Sequence, residues 1–257
     1  KHAMGRSEST DFINWTTPQL ICTPDDQDPS HIEFHTTPVF YHSNLYCCLN
    51  QRLNRNVDGG VIDIELMLSR DGLQWQRPFR NDCFIARGEQ GNFDSGSIFT
   101  NATPIVLDDE IRFYYGGYSQ GATGADNNKQ KSGIGMASLP KDRFAGITPL
   151  SRTDLPTQQE PLEGIGQITL KPTPLKKYKH VTINADASQG FLQVELLTSE
   201  GKRVEGFTKE DAIPIRGDAL RHKIEWHTHN LNALDESSYM LRIHLNKAVI
   251  YALNFIE

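Results

Sequence analysis

Apolar and polar residues alternate through most of this chain, whereas a helical period is nearly absent. The stretches VIDIELMLS at 61–69, EIRFYYGGY at 110–118 and SYMLRIHLN at 238–246 place apolar residues at every second position. Successive side chains of a strand point to opposite faces, whereas a helix needs apolar residues about every three to four positions. The pattern predicts an all-β fold of short strands joined by turns rich in Gly, Asn and Asp.

Two hairpins are specific enough to predict from local sequence. TPVFYHSNLYCCL predicts two strands around a turn at His42-Ser43-Asn44, and YMLRIHLNKAVIYALNFI predicts two strands around Asn246-Lys247. Asn in a short polar segment between two apolar runs is typical of a tight turn.

The composition changes near TPLSRTDLPTQQEPLEG, where Pro, Thr and Gln dominate and the alternation is lost. Such a segment is typical of a linker. We therefore predict one domain at 1–150, a linker at 151–164 and a second domain at 165–257. The strands of the second domain are typical of a β-sandwich.

Composition and charge exclude some classes of partner. Of 257 residues, 37% are hydrophobic and 23% charged, which indicates a globular protein. The net charge is −6 and Lys and Arg are not clustered, which argues against a nucleic-acid partner. No apolar run approaches the roughly 18 residues of a membrane-spanning helix, so no membrane is expected.

No metal or cofactor is predicted. The four cysteines contain no C-x-x-C pair, which argues against a zinc site. Cys47 and Cys48 are adjacent in a predicted strand and are expected to be small buried hydrophobes, while a Cys22–Cys83 disulfide stays open. The acidic stretch PDDQDP offers oxygen ligands but lacks the Gly and distal Glu of an EF-hand loop.

One motif, D-x-x-x-W-x-x-P, occurs twice, beginning at Asp11 and at Asp71. A repeat of roughly 40–60 residues in an all-β chain is typical of propeller blades. We expect the Asp to lie in a turn and Trp15 and Trp75 to be packed between strands, so the motif marks successive blades and carries no chemistry.

Several stretches together resemble a known architecture: GRSESTDFINWTTP, LSRDGLQWQRP, GNFDSGSI, DDEIRFYYGGY and GIGMASLPKDRFAGI. They are similar to the later blades of the five-bladed β-propellers of glycoside hydrolase families 32 and 43. The segment from INADASQGFLQVELLTSEGKRVEGF to YMLRIHLNKAVIYALNF resembles the β-sandwich that follows such propellers in the family 32 type. The resemblance implies a partial propeller of two to three blades followed by a C-terminal β-sandwich.

A complete ring of five such blades needs about 300 residues at this repeat length. We therefore expect the sequence to be the C-terminal part of a longer protein, whose N-terminal blades are its partner in the ring. The resemblance alone favours a secreted or periplasmic location.

The resemblance also implies candidate catalytic residues. Glycoside hydrolysis needs two carboxyl groups that flank the scissile bond. Asp94 stands in GNFDSGSIF, where the families place a general acid that is usually Glu. Glu33 lies four residues before Thr37-Pro38, where the families have Asp-Pro, and is the candidate for the assisting acid. The resemblance places the nucleophile in the first blade, outside this sequence.

Three further residues are candidate substrate contacts, namely His31 and His35 beside Glu33, and Tyr115 on a predicted inner strand. A His can contact sugar hydroxyls and a Tyr can stack on a sugar ring. Structural alternatives stay open: Asp94 caps a turn, Glu33 is a solvated loop acid, or Tyr115 packs between blades.

The resemblance thus implies a glycoside hydrolase-like protein that acts on an oligosaccharide or polysaccharide. The alternative is a catalytically inactive carbohydrate-binding or structural protein of the same architecture, which the Thr37 departure from the family pattern favours.

Overall fold

The computed structural model describes residues 1–57, 59–80, 82–123, 125–126, 128–150 and 164–257. The chain divides into two compact units. Unit 1 comprises 1–107 and 111–138, and unit 2 comprises 108–110 and 139–257. The predicted linker at 151–164 lies, apart from Gly164, outside the described residues.

Both units are built from strands, so the all-β prediction is confirmed. The described residues contain no α-helix; a single 3₁₀ turn covers Leu231–Ala233. Within that part of the chain no helix is long and apolar enough to cross a membrane.

The first eleven strands include a two-stranded sheet and a nine-stranded sheet. In chain order they are β1 Met4–Arg6, β2 Gln19–Cys22, β3 Ile32–Phe34, β4 Val39–His42, β5 Leu45–Asn54, β6 Val61–Ser69, β7 Trp75–Gln76, β8 Ser97–Thr100, β9 Ile105–Val106, β10 Glu110–Tyr118 and β11 Ser132–Pro140. β1 pairs with β2, and the larger sheet has the order β11-β10-β8-β6-β5-β3 with β4, β7 and β9 branching from it.

The nine-stranded sheet consists of two antiparallel meanders. In the first, β3 and β4 pair with successive parts of β5, β5 pairs with β6, and β6 with β7. In the second, β8 and β9 pair with successive parts of β10, which in turn pairs with β11. A short parallel contact between Ile62 and Ser97 joins the meanders. Among the described strands, neither sheet closes on itself.

The predicted hairpin between β4 and β5 is confirmed. Ser43 and Asn44 both have positive φ, 48° and 63°. Two successive residues of positive φ form the turn whose twist matches that of antiparallel strands. The local sequence therefore fixes this register without help from distant contacts.

Strand β6 is buried on both faces rather than on one. Ile62 and Ile64 are fully buried, as the alternation predicts, but Glu65 and Met67 on the opposite face are also nearly inaccessible. A buried carboxylate requires a partner, and Arg77 provides it.

Arg77 forms the centre of a buried ion cluster. Its Nε lies 2.9 Å from Glu65 Oε1, and its Nη1 and Nη2 donate to both oxygens of Asp28. The guanidinium also lies over the Phe34 ring, 4.8 Å from its centroid. Burial raises the pKa of Asp28, but the hydrogen bonds from Arg77 and from the Asp25 amide, together with the charges of Arg77 and Arg80, hold that pKa below its usual value.

Two of the three aspartates in the acidic stretch PDDQDP thus bind arginines. Besides the Asp28 contact, Asp25 binds Arg80 through both oxygens, at 2.7 and 3.0 Å. Among the described residues, no three His, Cys, Asp or Glu side chains gather to form a metal site.

The duplicated motif forms the same turn twice. Oδ1 of Asp11 accepts the amides of Ile13 and Asn14, at 2.9 and 2.8 Å. Oδ1 of Asp71 accepts the corresponding amides of Leu73 and Gln74 at the same two distances. The residue after each Asp has positive φ, 63° at Phe12 and 71° at Gly72.

The two tryptophans differ, and the prediction that both are packed is wrong for one. Trp75 packs against a core cluster that includes Met4, Cys48 and Met67. Trp15 is 52% exposed, and its ring makes an edge contact with Phe12, which is 82% exposed. The turn fixes the backbone in both copies, but whether the Trp is covered depends on strands elsewhere in the chain.

Unit 2 carries the remaining strands, which are β12 Ile165–Thr169, β13 Thr173–Pro174, β14 His180–Thr198, β15 Ile215–Lys223, β16 Ser238–Asn246 and β17 Val249–Ile256. They form one sheet of order β12-β16-β14-β15, to which β13 and β17 add. The first half of β14 pairs with β17 and the second half with β16. The two strands predicted around Asn246-Lys247 are confirmed, with Lys247 at φ 44° in the turn between them. They do not form a hairpin, because both pair with β14 rather than with each other.

The core of unit 2 lies along β14 and β16. Ile183 and Leu192 of β14 and Leu241 and Ile243 of β16 are almost inaccessible to solvent. The intervening Arg242 and His244 bind Glu195 instead, so the alternation of β16 is confirmed.

We predict that Arg77→Met strongly destabilises unit 1, because it leaves Asp28 and Glu65 buried without their cation. The expected loss in free energy of unfolding is about 3–5 kcal/mol. Urea denaturation followed by tryptophan fluorescence measures it. The control, Arg6→Met, breaks an exposed pair with Glu8 and should cost less than about 1 kcal/mol. Equal losses in the two variants would refute a special role for the buried cluster.

A second prediction concerns the left-handed residue of the repeated turn. Gly72→Ala should lower stability by roughly 1–2 kcal/mol because an L-side chain is strained at this φ. The added Cβ would lie 3.7 Å from the nearest Tyr46 atom, so no steric clash contributes. Phe12→Gly, at the equivalent position, should shift the thermal midpoint in the opposite direction; a shift of the same sign would contradict the strain argument.

Candidate functional site

Glu33 is a buried carboxylate that contacts one histidine and one arginine. It lies on β3 and is 6% exposed. The Nδ1 of His2 is 2.8 Å from its Oε2, and Arg55 Nη1 is 3.6 Å from its Oε1. Burial raises the pKa of Glu33, but the bonds from His2 and the charge of Arg55 outweigh it, so the pKa lies below its usual value. Glu33 is therefore a bound anion at neutral pH and a poor proton donor.

The two histidines beside Glu33 differ in setting. The His35 ring lies between the rings of His2 and Phe99, with centroid distances of 5.8 and 5.5 Å. Its Nδ1 is buried and has no hydrogen-bond partner among the described residues. Burial and the neighbouring His2 lower the pKa of His35, which favours a neutral ring. His31 is half-buried, and its carbonyl accepts the amide of Arg55 at 3.1 Å.

Asp94 and Tyr115 are brought together. Asp94 is 7% exposed, and the Tyr115 hydroxyl donates to its Oδ2 at 2.9 Å. A side chain at Gly88 would lie 2.1 Å from Asp94 Oδ1, so the carboxylate is tightly enclosed. Burial, followed by the bond to Asp94, raises the pKa of Tyr115 to about 12. The hydrogen bond from Tyr115 thus positions the Asp94 carboxylate, which is also shielded from solvent.

Unit 1 contains a cleft of about 810 Å³. We call it the Asp63 cleft. Its lining residues are Val57, Gly59, Val61, Asp63, Cys83, Ala86, Arg87, Gly88, Gln90, Ser95, Gly96, Ser119, Gln120, Gly121, Thr123 and Ala125. Glu33 and Asp94 are not among them, although Ser95 directly follows Asp94.

One wall of the Asp63 cleft is formed by two loops that approach closely. Thr123 donates its amide to the Gly59 carbonyl at 2.8 Å and its hydroxyl to the same oxygen at 3.0 Å. Gly121 faces this carbonyl, and a side chain at Gly121 would place its Cβ 2.1 Å from the Gly59 oxygen. Only glycine permits this approach, so the loops form a wall with exposed backbone.

Among the described residues of the cleft lining, Asp63 and Arg87 form an ion pair. Oδ1 of Asp63 accepts both the amide and the Nε of Arg87, each at 3.1 Å. The Nη1 of Arg87 donates to the Ser95 carbonyl at 2.9 Å. Asp63 and Arg87 are each partly accessible, with side-chain exposures of 16% and 28%. Both side chains are therefore oriented and still able to contact a ligand.

Sequence reasoning missed both members of this pair. Asp63 interrupts the apolar run VIDIELMLS, and a charged residue there is a signal. The same signal marks Glu65, however, which pairs with Arg77 in the interior. The sequence does not distinguish the two acids, because the difference depends on which distant arginine each one meets.

Comparison of the chain with protein-family models and with curated proteins returned no match. The likeness to glycoside hydrolase families 32 and 43 is therefore a resemblance in motifs only.

We predict that Tyr115→Phe destabilises the protein by about 1–3 kcal/mol, because buried Asp94 loses a donor. In the wild type, the raised pKa of Tyr115 stabilises the fold fully below pH 10, and this contribution is lost as the pH rises towards about 12. Denaturant midpoints at pH 7 and near pH 11 test both statements. The difference between wild type and variant should shrink at the higher pH; a constant difference would argue against the Tyr115–Asp94 bond.

Proposed function

We propose that this protein is a carbohydrate-binding protein of the propeller-and-sandwich type, and that its ligand occupies the Asp63 cleft. The observation that carries the proposal is the polar lining of that cleft. Two oriented charged groups, the Gln90 amide and the hydroxyl oxygens of Ser95, Ser119 and Thr123 line a space of about 810 Å³. A polyhydroxylated ligand needs many donors and acceptors of this kind.

The architecture supports the same proposal. In each meander of the larger sheet, two short strands pair with successive parts of one long strand, and further antiparallel strands follow. The strands of a propeller blade follow one another in the same way from the inner to the outer edge. The repeated Asp turn recurs at corresponding places, before β2 and before β7. We propose that unit 1 is part of a five-bladed-type propeller and that unit 2 is the accompanying β-sandwich.

The binding function is favoured over hydrolysis because both candidate acids are already engaged. Glu33 is held as an anion by His2 and Arg55, and Asp94 is enclosed and bound by Tyr115. A general acid must hold a proton near neutral pH and reach the glycosidic oxygen. The arrangement of Glu33 does not meet the first requirement.

Glycoside hydrolysis remains the second candidate because Asp94 adjoins a residue of the cleft lining, Ser95. The Asp94 carboxylate also lies against Gly88, another residue of the lining. The resemblance places the nucleophile in a blade outside this sequence, so the test requires the longer protein.

Cys83 offers a direct test of binding. It lines the Asp63 cleft and is exposed, whereas Cys47 and Cys48 are buried and Cys22 is half-buried. In a Cys22→Ser background, an oligosaccharide that occupies the cleft should slow alkylation of Cys83 by a maleimide. Prior alkylation should weaken oligosaccharide binding about tenfold or more in calorimetry, because the adduct fills the site.

The Cys83→Ser variant is the control. Its affinity for oligosaccharide should be the same before and after maleimide treatment. If oligosaccharides bind but neither protect Cys83 nor respond to its alkylation, the ligand site lies elsewhere.

For hydrolysis, the corresponding prediction is that Asp94→Asn abolishes turnover by the longer protein and spares binding. Reducing-sugar release and calorimetry on the same preparation measure the two effects. Unchanged turnover would remove Asp94 from any mechanism.

A further inference from the structure

The charged groups of the Asp63 cleft balance one another. Among its lining residues, Asp63 and Arg87 carry the formal charges, one of each sign. The third titratable side chain is Cys83, and burial raises the pKa of its thiol, so it adds no charge at neutral pH. The described lining is therefore electrically neutral as a whole.

The contacts of the pair leave specific atoms for a ligand. The hydrogen bonds described above use Oδ1 of Asp63 and use Nε and Nη1 of Arg87. Oδ2 of Asp63 and Nη2 of Arg87 take no part in these bonds. One is an acceptor and the other a donor, on adjacent oriented side chains. Two neighbouring hydroxyls of a sugar ring offer the complementary pair, one donating and one accepting.

We infer that the Asp63–Arg87 pair selects an uncharged sugar by binding two adjacent hydroxyls, with Asp63 accepting from one and Arg87 donating to the other. A uronic acid or sulfated sugar is rejected, because its anion meets the Asp63 carboxylate while Arg87 is already shared. The inference rests on the proposed function, since it requires that the Asp63 cleft bind carbohydrate.

Charge discrimination follows from the same geometry. A ligand anion beside Asp63 places two like charges close together in a partly exposed cleft, where solvent and salt reduce their repulsion without removing it. Hydrogen bonds to charged groups are also the stronger ones, and loss of one costs about tenfold or more in affinity. Specificity therefore depends on both the hydrogen bonds and the net charge of the pair.

The experiment compares two opposite charge changes in the whole chain. The probes are neutral hexose oligosaccharides and length-matched hexuronic-acid oligosaccharides, and affinity is measured by calorimetry together with protection of Cys83. The wild type should bind the neutral series at least about tenfold more tightly. Asp63→Asn makes the cleft positive and should reduce this preference at least about tenfold. Arg87→Gln makes it negative; affinity for the neutral series should fall, and the preference against uronic acids should grow.

Matched controls carry the same charge changes outside the cleft. Asp26 and Arg70 are exposed residues of unit 1 that do not line the cleft, and Asp26→Asn and Arg70→Gln should leave the preference unchanged. Circular dichroism verifies that each variant is folded. A preference that moves in the same direction in both cleft variants would indicate a loss of structure and would overturn the inference.

The possible failures are distinguishable. If neither series binds the wild type, the proposed function is wrong and the inference falls with it. If oligosaccharides protect Cys83 but the uronic acids bind equally or better, the cleft is a carbohydrate site and only the inference is overturned. If the preference survives Asp63→Asn unchanged, another group determines it and the pair has no such role.

Discussion

The buried guanidinium of Arg77 is the interaction on which the geometry of unit 1 depends. It binds Asp28, which precedes β3, and Glu65, which lies on β6. Because β3 carries Glu33 and β6 carries Asp63, this one cation connects the strands that position these two carboxylates. Without it, two acids would share an apolar interior and repel each other. Such a cluster can fix an arrangement even where its net contribution to stability is small.

Local chemistry explains which parts of the fold could be predicted. The turn of the β4–β5 hairpin is fixed by residues that tolerate positive φ, such as Asn44, and the burial of β16 follows from strict alternation. Strand β6 departs from its pattern because an ion pair makes a polar face suitable for the interior. Trp15 departs because the covering strands seen at Trp75 are not supplied by its own turn. Predictions held where a few adjacent residues decide the structure.

The candidate site shows the same limit at longer range. Glu33 and Asp94 were chosen for their motifs, but their properties depend on His2 and Tyr115, which are distant in sequence. The Asp63 cleft was not predicted at all, because it forms where separate loops meet through backbone contacts such as that between Thr123 and Gly59. A short segment of sequence does not indicate that two distant loops will be in contact. The two acids stay candidates from resemblance, whereas Asp63 and Arg87 are candidates from geometry.

The pairing of β14 has a consequence for the order in which unit 2 can form during synthesis. Its first half pairs with β17 and its second half with β16, both of which lie far along the chain. Ile147, ahead of every strand of this sheet, bridges to Ile250 in β17. Contacts between residues this far apart in sequence slow folding, because the entropy of loop closure is lost before the contacts form. While the ribosome is still adding β16 and β17, β14 has β15 on one edge but no partner on the other, and this open edge needs protection from aggregation.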